Sequence, residues 1–213
     1  MLAYKDVFVI SAPSGAGKTT INKRLIRELN DIELSVSYTT RTKRPGEVDG
    51  KDYWFKTKEE FQQCIDSGRM LEWAKVFTNY YGTSIDELKR ISSLGKRILL
   101  EIDVQGWHQA KKKLHDVTSI FILPPSGNSL FERLQKRGTE SSQTIKLRVN
   151  TAKKELSYGD DFQYFVINDD LEQAYEEVKN LISAGAKPSL SRKQALEHCN
   201  KLIKELNDFD RSG

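Results

Sequence analysis

Long apolar runs are missing from this sequence. No stretch comes near the ~20 consecutive apolar residues that a helix needs to cross a bilayer, so neither a membrane span nor a membrane partner is expected. The opening MLAYKDVFVIS passes almost at once into strand-like sequence and has neither the apolar segment nor the cleavage pattern of a secretory leader; cytoplasmic residence is the expectation. Cysteine is scarce. Cys64 and Cys199 stand far apart, with no CxxC and no adjoining His or Cys to complete a metal set, which excludes a disulfide framework and leaves two reduced structural thiols. An excess of one charge is missing too: 34 Lys and Arg against 30 Asp and Glu give a formal +4, a surplus that fits a site for small polyanions as well as nucleic acid, so the placement of the arginines must decide. No internal repeat or low-complexity tract interrupts the 213 residues, which suffice for one domain, or one with a small appendage, around a sizeable core.

Three short apolar runs read as strands covered on both faces: VFVIS (7–11), RILLEID (97–103) and SIFIL (119–123), with YFVIN (164–168) a fourth candidate. Helical spacing follows over 18–30, 126–137, 140–157 and 170–183, where Leu171, Ala174, Val178 and Leu181 share a face. Strands alternating with helices predict an α/β fold with a central parallel sheet flanked by helices. Residues 34–93 break the alternation and read as a small β-rich insert: in LSVSYTTRTKRPGEVDGKDYWF (34–55), dense Thr and Tyr, Pro-Gly at 45–46 and Asp-Gly at 49–50 predict short antiparallel strands with tight turns. After a linker-like SAGAKPSLSRK (183–193), Leu196, Cys199, Leu202, Ile203 and Leu206 recur at helical spacing; this tail suits either a helix docked on its own domain or a dimerisation or partner helix.

Residues 12–19, APSGAGKT, follow the phosphate-loop pattern G-x-x-x-x-G-K-[ST] with Ala12 in place of the first Gly. Small residues are needed there because successive backbone N–H groups must curl inward around phosphate oxygens. The following helix aims its unsatisfied N–H groups at the same anion. Lys18 adds a full charge for the β- and γ-phosphates, and Thr19 offers a hydroxyl to Mg²⁺. Ala12 fits if its φ is negative. The loop alone names no substrate; a kinase, a hydrolytic switch and a motor all use one.

In SVSYTTRTKRPGEVDGKDYWF, Arg41 and Arg44 lie three apart and are followed by Glu47 and Tyr53, with Glu72 and Tyr81 further on. Two guanidinium forks beside a Tyr hydroxyl suit a phosphate monoester. A carboxylate brought to the same pocket could accept the paired N–H donors on the N1–N2 edge of guanine, which adenine does not offer. The same spacing also suits a solvated charged hairpin.

Together with LEWAKVFTNYYGT, LEIDVQG, PPS, RLQKRGTES and VIND, taken in order, these motifs resemble guanylate kinase over about residues 5–183. The resemblance implies ATP:GMP phosphotransfer with Mg²⁺, ATP held by residues 12–20 (Ala12, Pro13, Ser14, Gly15, Ala16, Gly17, Lys18, Thr19 and Thr20), and the GMP phosphate held by Arg41, Arg44, Tyr53 and Tyr81, with Glu47 in the same pocket. It implies guanine contacts from Ser37, Glu72 and Thr83; Thr83 stands where Ser is also common. Glu101 and Asp103 would organise Mg²⁺ through water, with Thr19, or meet the GMP ribose and base. Glu101 replaces the Asp usual at its position. Asn168 and Asp169 would lie near adenine and ribose, and Arg133, Arg137 and Arg148 in a lid that brings charge to the phosphoryl group in flight.

The expected division is a core of 1–33, 94–125 and 158–186, a GMP-binding insert over 34–93, a lid over 126–157, and a linker and helix over 187–213. Partners are expected to be ATP, GMP and dGMP, without nucleic acid, in a monomer or homodimer. Two further readings remain beside the kinase: a non-catalytic interaction module of the same fold, which would be expected to lose loop and substrate-site residues that this chain keeps, and a kinase for another monophosphate.

Overall fold

Val7–Ser11 (β1) is buried at every position, as a strand covered on both faces must be. The computed structural model of the chain describes residues 4, 6–135, 142–185 and 187–211. In chain order, β1 is followed by α1 (Lys18–Glu28), β2 (Ile32–Leu34), β3 (Tyr38–Thr39), β4 (Trp54–Phe55), α2 (Lys58–Asp66), β5 (Met70–Val76), β6 (Asn79–Ser84), α3 (Ile85–Ser93), β7 (Arg97–Glu101) and α4 (Val104–Ala110). Then come β8 (Val117–Leu123), α5 (Gly127–Gln135), α6 (Ser142–Leu156), a 3₁₀ turn (Gly159–Asp161), β9 (Tyr164–Ile167), α7 (Leu171–Ala184) and α8 (Arg192–Arg211). One sheet has the order β2-β7-β1-β8-β9 and a second the order β4-β3-β6-β5. In the first, β2 pairs parallel with β7, Ile32 opposite Arg97, and β8 pairs parallel with β9, Ile120 opposite Tyr164.

The chain gathers into two compact units, Met1–Val7 with Leu29–Val117, and Phe8–Glu28 with Thr118–Gly213. In the first, β5 and β6 form an antiparallel hairpin that continues antiparallel into β3. The expectation of antiparallel strands throughout the insert is corrected at one pair: β3 and β4 run parallel, Tyr38 opposite Trp54, since the fourteen intervening residues form a loop rather than a hairpin turn. The helix α2 follows within the same insert. Its start is a capping box, in which Thr57 accepts from the Glu60 amide while the Glu60 carboxylate accepts from the Thr57 amide. A local core of Phe61, Cys64 and Met70 is covered by Tyr38, Trp73 and Tyr80, with the Phe61 and Tyr80 rings stacked at 5.4 Å.

In the second unit, α7 starts at an Asp170 cap and stops at Gly185, whose φ of +55° gives the left-handed end common to helices. The tail helix α8 packs on α5, α6 and β9. Its Ala195, Cys199, Leu202 and Leu206 are buried, Phe209 stacks on Phe131 at 4.8 Å, and Glu205 accepts the Gly127 amide at 2.6 Å. Of the two roles open for the tail, docking within its own unit is what the chain adopts. Both cysteines are free and buried; burial pushes the Cys199 thiol up to about 12, which keeps it protonated and inert near neutral pH. Among the described residues, no helix is long and apolar enough to cross a membrane.

Candidate active site

The phosphate loop lies in the second unit, between β1 and α1. Gly15 and Gly17 hold φ of +91° and +98°, which side chains rarely tolerate. Ala12 is not among the non-glycine residues with positive φ, so its methyl group meets the condition set by the sequence. The Ala16 amide donates to Pro13 O at 3.0 Å, and α1 begins at Lys18, with Thr19 and Thr20 exposed in its first turn.

Three residues distant in sequence fix this loop. Asn168, 4% exposed at the end of β9, donates through Nδ2 to Ala16 O at 2.7 Å. A Cβ at Gly17 would collide with the same amide, so Gly17 is required both by its φ and by this approach. Asn168, expected near adenine and ribose, directs its amide at the loop backbone, while Asp169 beside it is exposed. Arg133 on α5 donates through Nη2 to Asn168 O at 3.1 Å. Glu155 on α6 accepts the Ser14 amide at 3.0 Å. Arg148 lies seven residues earlier on α6, two turns along the same face. Arg137 lies outside the described residues.

Glu155 was not singled out from sequence, where it is one acid in a Lys-rich helix. Replacing it with Leu leaves a part-buried amide without this acceptor. The expected cost is about 1–2 kcal/mol, a fall in Tm of roughly 5 °C, with Glu155→Gln keeping most of the stability. Unchanged melting of the Leu variant would contradict this account of the loop.

A cavity of about 320 Å³ opens between α1 and α7, lined by Thr20, Ile21, Lys23, Arg24, Arg27, Leu171 and Tyr175. It begins at the last loop residue and two positions past Asp169. Arg24 lies over the Tyr175 ring at 3.8 Å and grips Glu172 with both terminal nitrogens.

The first unit carries the second group of expected residues. The Arg41 guanidinium donates to Glu47 Oε1 at 2.7 Å and to Thr42 O at 2.8 Å. It lies 5.5 Å from the Tyr53 ring centroid, and Tyr53 meets Tyr81 edge-on at 6.0 Å. Arg41, Glu47, Tyr53 and Tyr81 are therefore one cluster. The other Glu47 oxygen accepts the Arg44 amide at 2.8 Å, which fixes the backbone from which the exposed Arg44 side chain leaves. Hydrogen bonding to Arg41 holds the Glu47 carboxyl below its ordinary range, so Glu47 remains an anion that orients the Arg41 guanidinium and the Arg44 backbone.

Glu72 and Thr83 face each other across β5 and β6 at a bulge between Met70 and Glu72. Glu72 is 8% exposed, and burial raises its pKa, opposed by a hydrogen bond to the Thr83 hydroxyl and aided by the charge of Asp103. A Cβ on Gly106 would lie 3.0 Å from Glu72 Oε2, so the carboxylate lies against α4. Asp103 caps α4 by accepting the Gly106 amide at 2.7 Å. Gln109, which sequence reasoning missed, donates to Trp73 O at 2.9 Å and accepts from Trp73 N at 3.2 Å, which locks the residue after Glu72. Ser37 is half-buried and its carbonyl accepts the Trp54 amide at 2.9 Å. Glu101 ends β7 half-buried. Among the described residues, no three His, Cys, Asp or Glu side chains group as a metal site.

The chemistry available is therefore anion binding on a glycine loop with a Lys, a second anion cradle of Arg and Tyr, and a buried carboxylate able to accept paired N–H donors. The family model described as guanylate kinase matches residues 4–185. A guanylate kinase of Caldanaerobacter subterraneus subsp. tengcongensis is 48% identical over 178 residues, 84% of this chain and 86% of that one. One from Oceanobacillus iheyensis is 40% identical over 206 residues, 96% and 98% of the two chains. The crystal structure of guanylate kinase from Anaplasma phagocytophilum superposes with a TM-score of 0.64 at 32% identity, covering 87% of this chain and 88% of that one.

Proposed function

The chain belongs to the guanylate kinase family, and on that premise we propose how its residues carry the ATP-dependent phosphorylation of GMP that defines the family. The observation that carries the reading is Glu72: a buried carboxylate beside the Thr83 hydroxyl, in the same unit as the Arg41–Tyr53–Tyr81 cluster, accepts the N1–H and N2–H donors of guanine while the cluster holds the 5′-phosphate.

The loop amides over 12–20 cradle the ATP phosphates, and Lys18 neutralises charge on the β- and γ-groups. A GMP phosphate oxygen attacks the γ-phosphorus in line. The bond from that phosphorus to the β–γ bridging oxygen breaks, and ADP leaves with the electron pair. No strong general base is required, because the acceptor oxygen is already anionic. Arg41, Arg133, Arg137 and Arg148 supply positive charge to the oxygens in flight, and water is kept from the γ-phosphate so that transfer outruns hydrolysis. Asn168 and Glu155 act on the loop's backbone, fixing the amides that bind phosphate. Asp169 serves the ribose side of ATP. Ser37 and Asp103 complete the nucleoside contacts of GMP.

An all-oxygen donor set of the Thr19 hydroxyl with Glu101 or Asp103 through water suits Mg²⁺ rather than a softer metal. When bound with ATP, the ion offsets phosphate charge. Cytoplasmic purine nucleotide metabolism and GMP recycling, acceptance of dGMP, a monomer or homodimer, and the division into core, insert (34–93), lid (126–157) and tail complete the proposal.

With γ-labelled ATP and GMP, the label is expected in GDP; label found only in inorganic phosphate would contradict direct transfer. Arg44→Ala removes a charged partner of the GMP phosphate while sparing the loop. Its KM for GMP should rise about 10-fold or more with the KM for ATP unchanged. A fall in kcat at constant KM for GMP would place Arg44 elsewhere.

A further inference from the structure

Glu87 is an acid where the helix pattern calls for an apolar residue: with Leu88 and Ile91 it makes the buried face of α3, and it is 2% exposed. Its carboxylate is fully engaged. Oε1 accepts from Val36 N at 3.0 Å and Arg90 Nη2 at 2.8 Å. Oε2 accepts from Trp54 Nε1 at 3.1 Å and Arg90 Nε at 2.9 Å. Arg90 is itself tied to Glu33 on β2 at 2.6 Å. A buried charge survives only with such pairing, and deleting it strands every donor it serves.

The bonded positions explain what this arrangement is for. Val36 precedes Ser37 and Trp54 follows Tyr53, two residues assigned to guanine and to the GMP phosphate. The main chains of the two segments are also bonded to each other, since Trp54 N donates to Ser37 O. Thr83 directly precedes Ser84, the cap of α3 itself. The start of β3, the start of β4 and the end of β6 therefore meet at α3, and Glu87 is the group that binds the first two to it.

We propose that Glu87 is a positioning residue for GMP: it sets the spacing of Ser37 and Tyr53 and so controls acceptor affinity without touching the acceptor. This rests on the assignment of the first unit to GMP. Nothing in its bonds reaches the phosphate loop, so its effect is confined to one substrate.

The test measures GMP binding by calorimetry without ATP, and steady-state kinetics, in wild type, Glu87→Leu, Glu87→Gln and Trp54→Phe, with melting curves for each. Glu87→Leu should weaken GMP binding about 10-fold or more, while the KM for ATP and the kcat at saturating GMP stay within about twofold of wild type. Glu87→Gln keeps an acceptor oxygen and should recover part of the loss. Trp54→Phe removes one donor and should give a smaller loss of GMP affinity. Should the Leu variant not fold, the Gln and Phe variants decide: GMP affinity equal to wild type in both overturns the proposal. So does a folded Leu variant that binds GMP normally, or one that loses kcat and ATP affinity while binding GMP as before. A wild-type protein that binds no GMP would contradict the functional assignment itself, and the inference with it.

Discussion

Lys18→Ala is expected to fold normally and to lose phosphoryl transfer by about 10³-fold or more in kcat, the scale of a preorganised charge removed from a transition state. Folding survives because the loop is shaped by other atoms. Gly15 and Gly17 supply the two positive φ values, Asn168 grips Ala16 O and Glu155 takes the Ser14 amide. The lost group is a full positive charge at the first residue of α1, where the helix start already favours an anion. ATP binding should fall less than kcat, since the backbone amides remain; the Lys charge counts most where negative charge accumulates on the β–γ bridge. Lys18→Arg should not restore the rate, because a planar fork cannot occupy the position of a compact ammonium. A coupled assay for ADP alongside direct ATP titration separates the two effects. Retention of more than a tenth of the wild-type kcat by Lys18→Ala would remove the loop Lys from the mechanism.

Glu72→Gln carries the second large effect, on the acceptor. The carboxylate presents only acceptors to the guanine edge; an amide turns a donor toward N1–H or N2–H and leaves a buried mismatch. A fall of about 10³-fold in kcat/KM for GMP is expected, in line with sites built around paired hydrogen bonds, with the KM for ATP unaffected. The pH dependence has a defined sign. Burial raises the Glu72 carboxyl above its ordinary 4.5, so its protonated form favours the folded apoprotein. That stabilisation is complete below the ordinary value and is lost as pH rises through the raised one. Guanine requires the ionised form, so GMP binding and proton binding oppose each other, and the KM for GMP should climb as pH falls from neutral toward the raised value. The GMP phosphate also titrates near pH 6. Glu72→Gln shares that change but lacks the carboxyl, so the difference between the two pH profiles isolates Glu72. Identical profiles would show that Glu72 does not read the base.

Much of this was legible in the sequence because it is local. The apolar runs at β1, β7, β8 and β9 announced buried strands, and the run of small residues before Lys18 announced the phosphate loop. The expected strand over 97–103 ends at Glu101 because Asp103 is already a helix cap; a capping acid and a strand-end acid look alike in sequence. β2 is too short to show a period, and the parallel β3–β4 pair spans two residues each. The cap at Thr57 and Glu60 was readable but stands just beyond the turn-rich stretch 34–55 and was not singled out.

The candidate site divides the same way. Arg41, Glu47, Tyr53 and Tyr81 do form one cluster, and Glu72 does meet Thr83. Several residues that hold the site in place stayed hidden, since each acts across a long separation in the chain: Glu155 on Ser14, Gln109 on Trp73 and Glu87 on Val36; Asn168 was named, but not its grip on Ala16 O. Only Glu87 left a trace, as an acid on the apolar face of a helix. Sequence patterns report which chemistry is present, whereas the alignment of that chemistry depends on contacts made only on folding.

The central claim is that this chain moves phosphate from ATP to GMP in particular. The most direct measurement is ADP formation from Mg-ATP by the purified protein, offered GMP, AMP, CMP, UMP and dTMP in parallel with a no-acceptor control. The account predicts turnover with GMP and background with the other four. ADP formation equal to the control with GMP present, or turnover with AMP matching that with GMP, would contradict it.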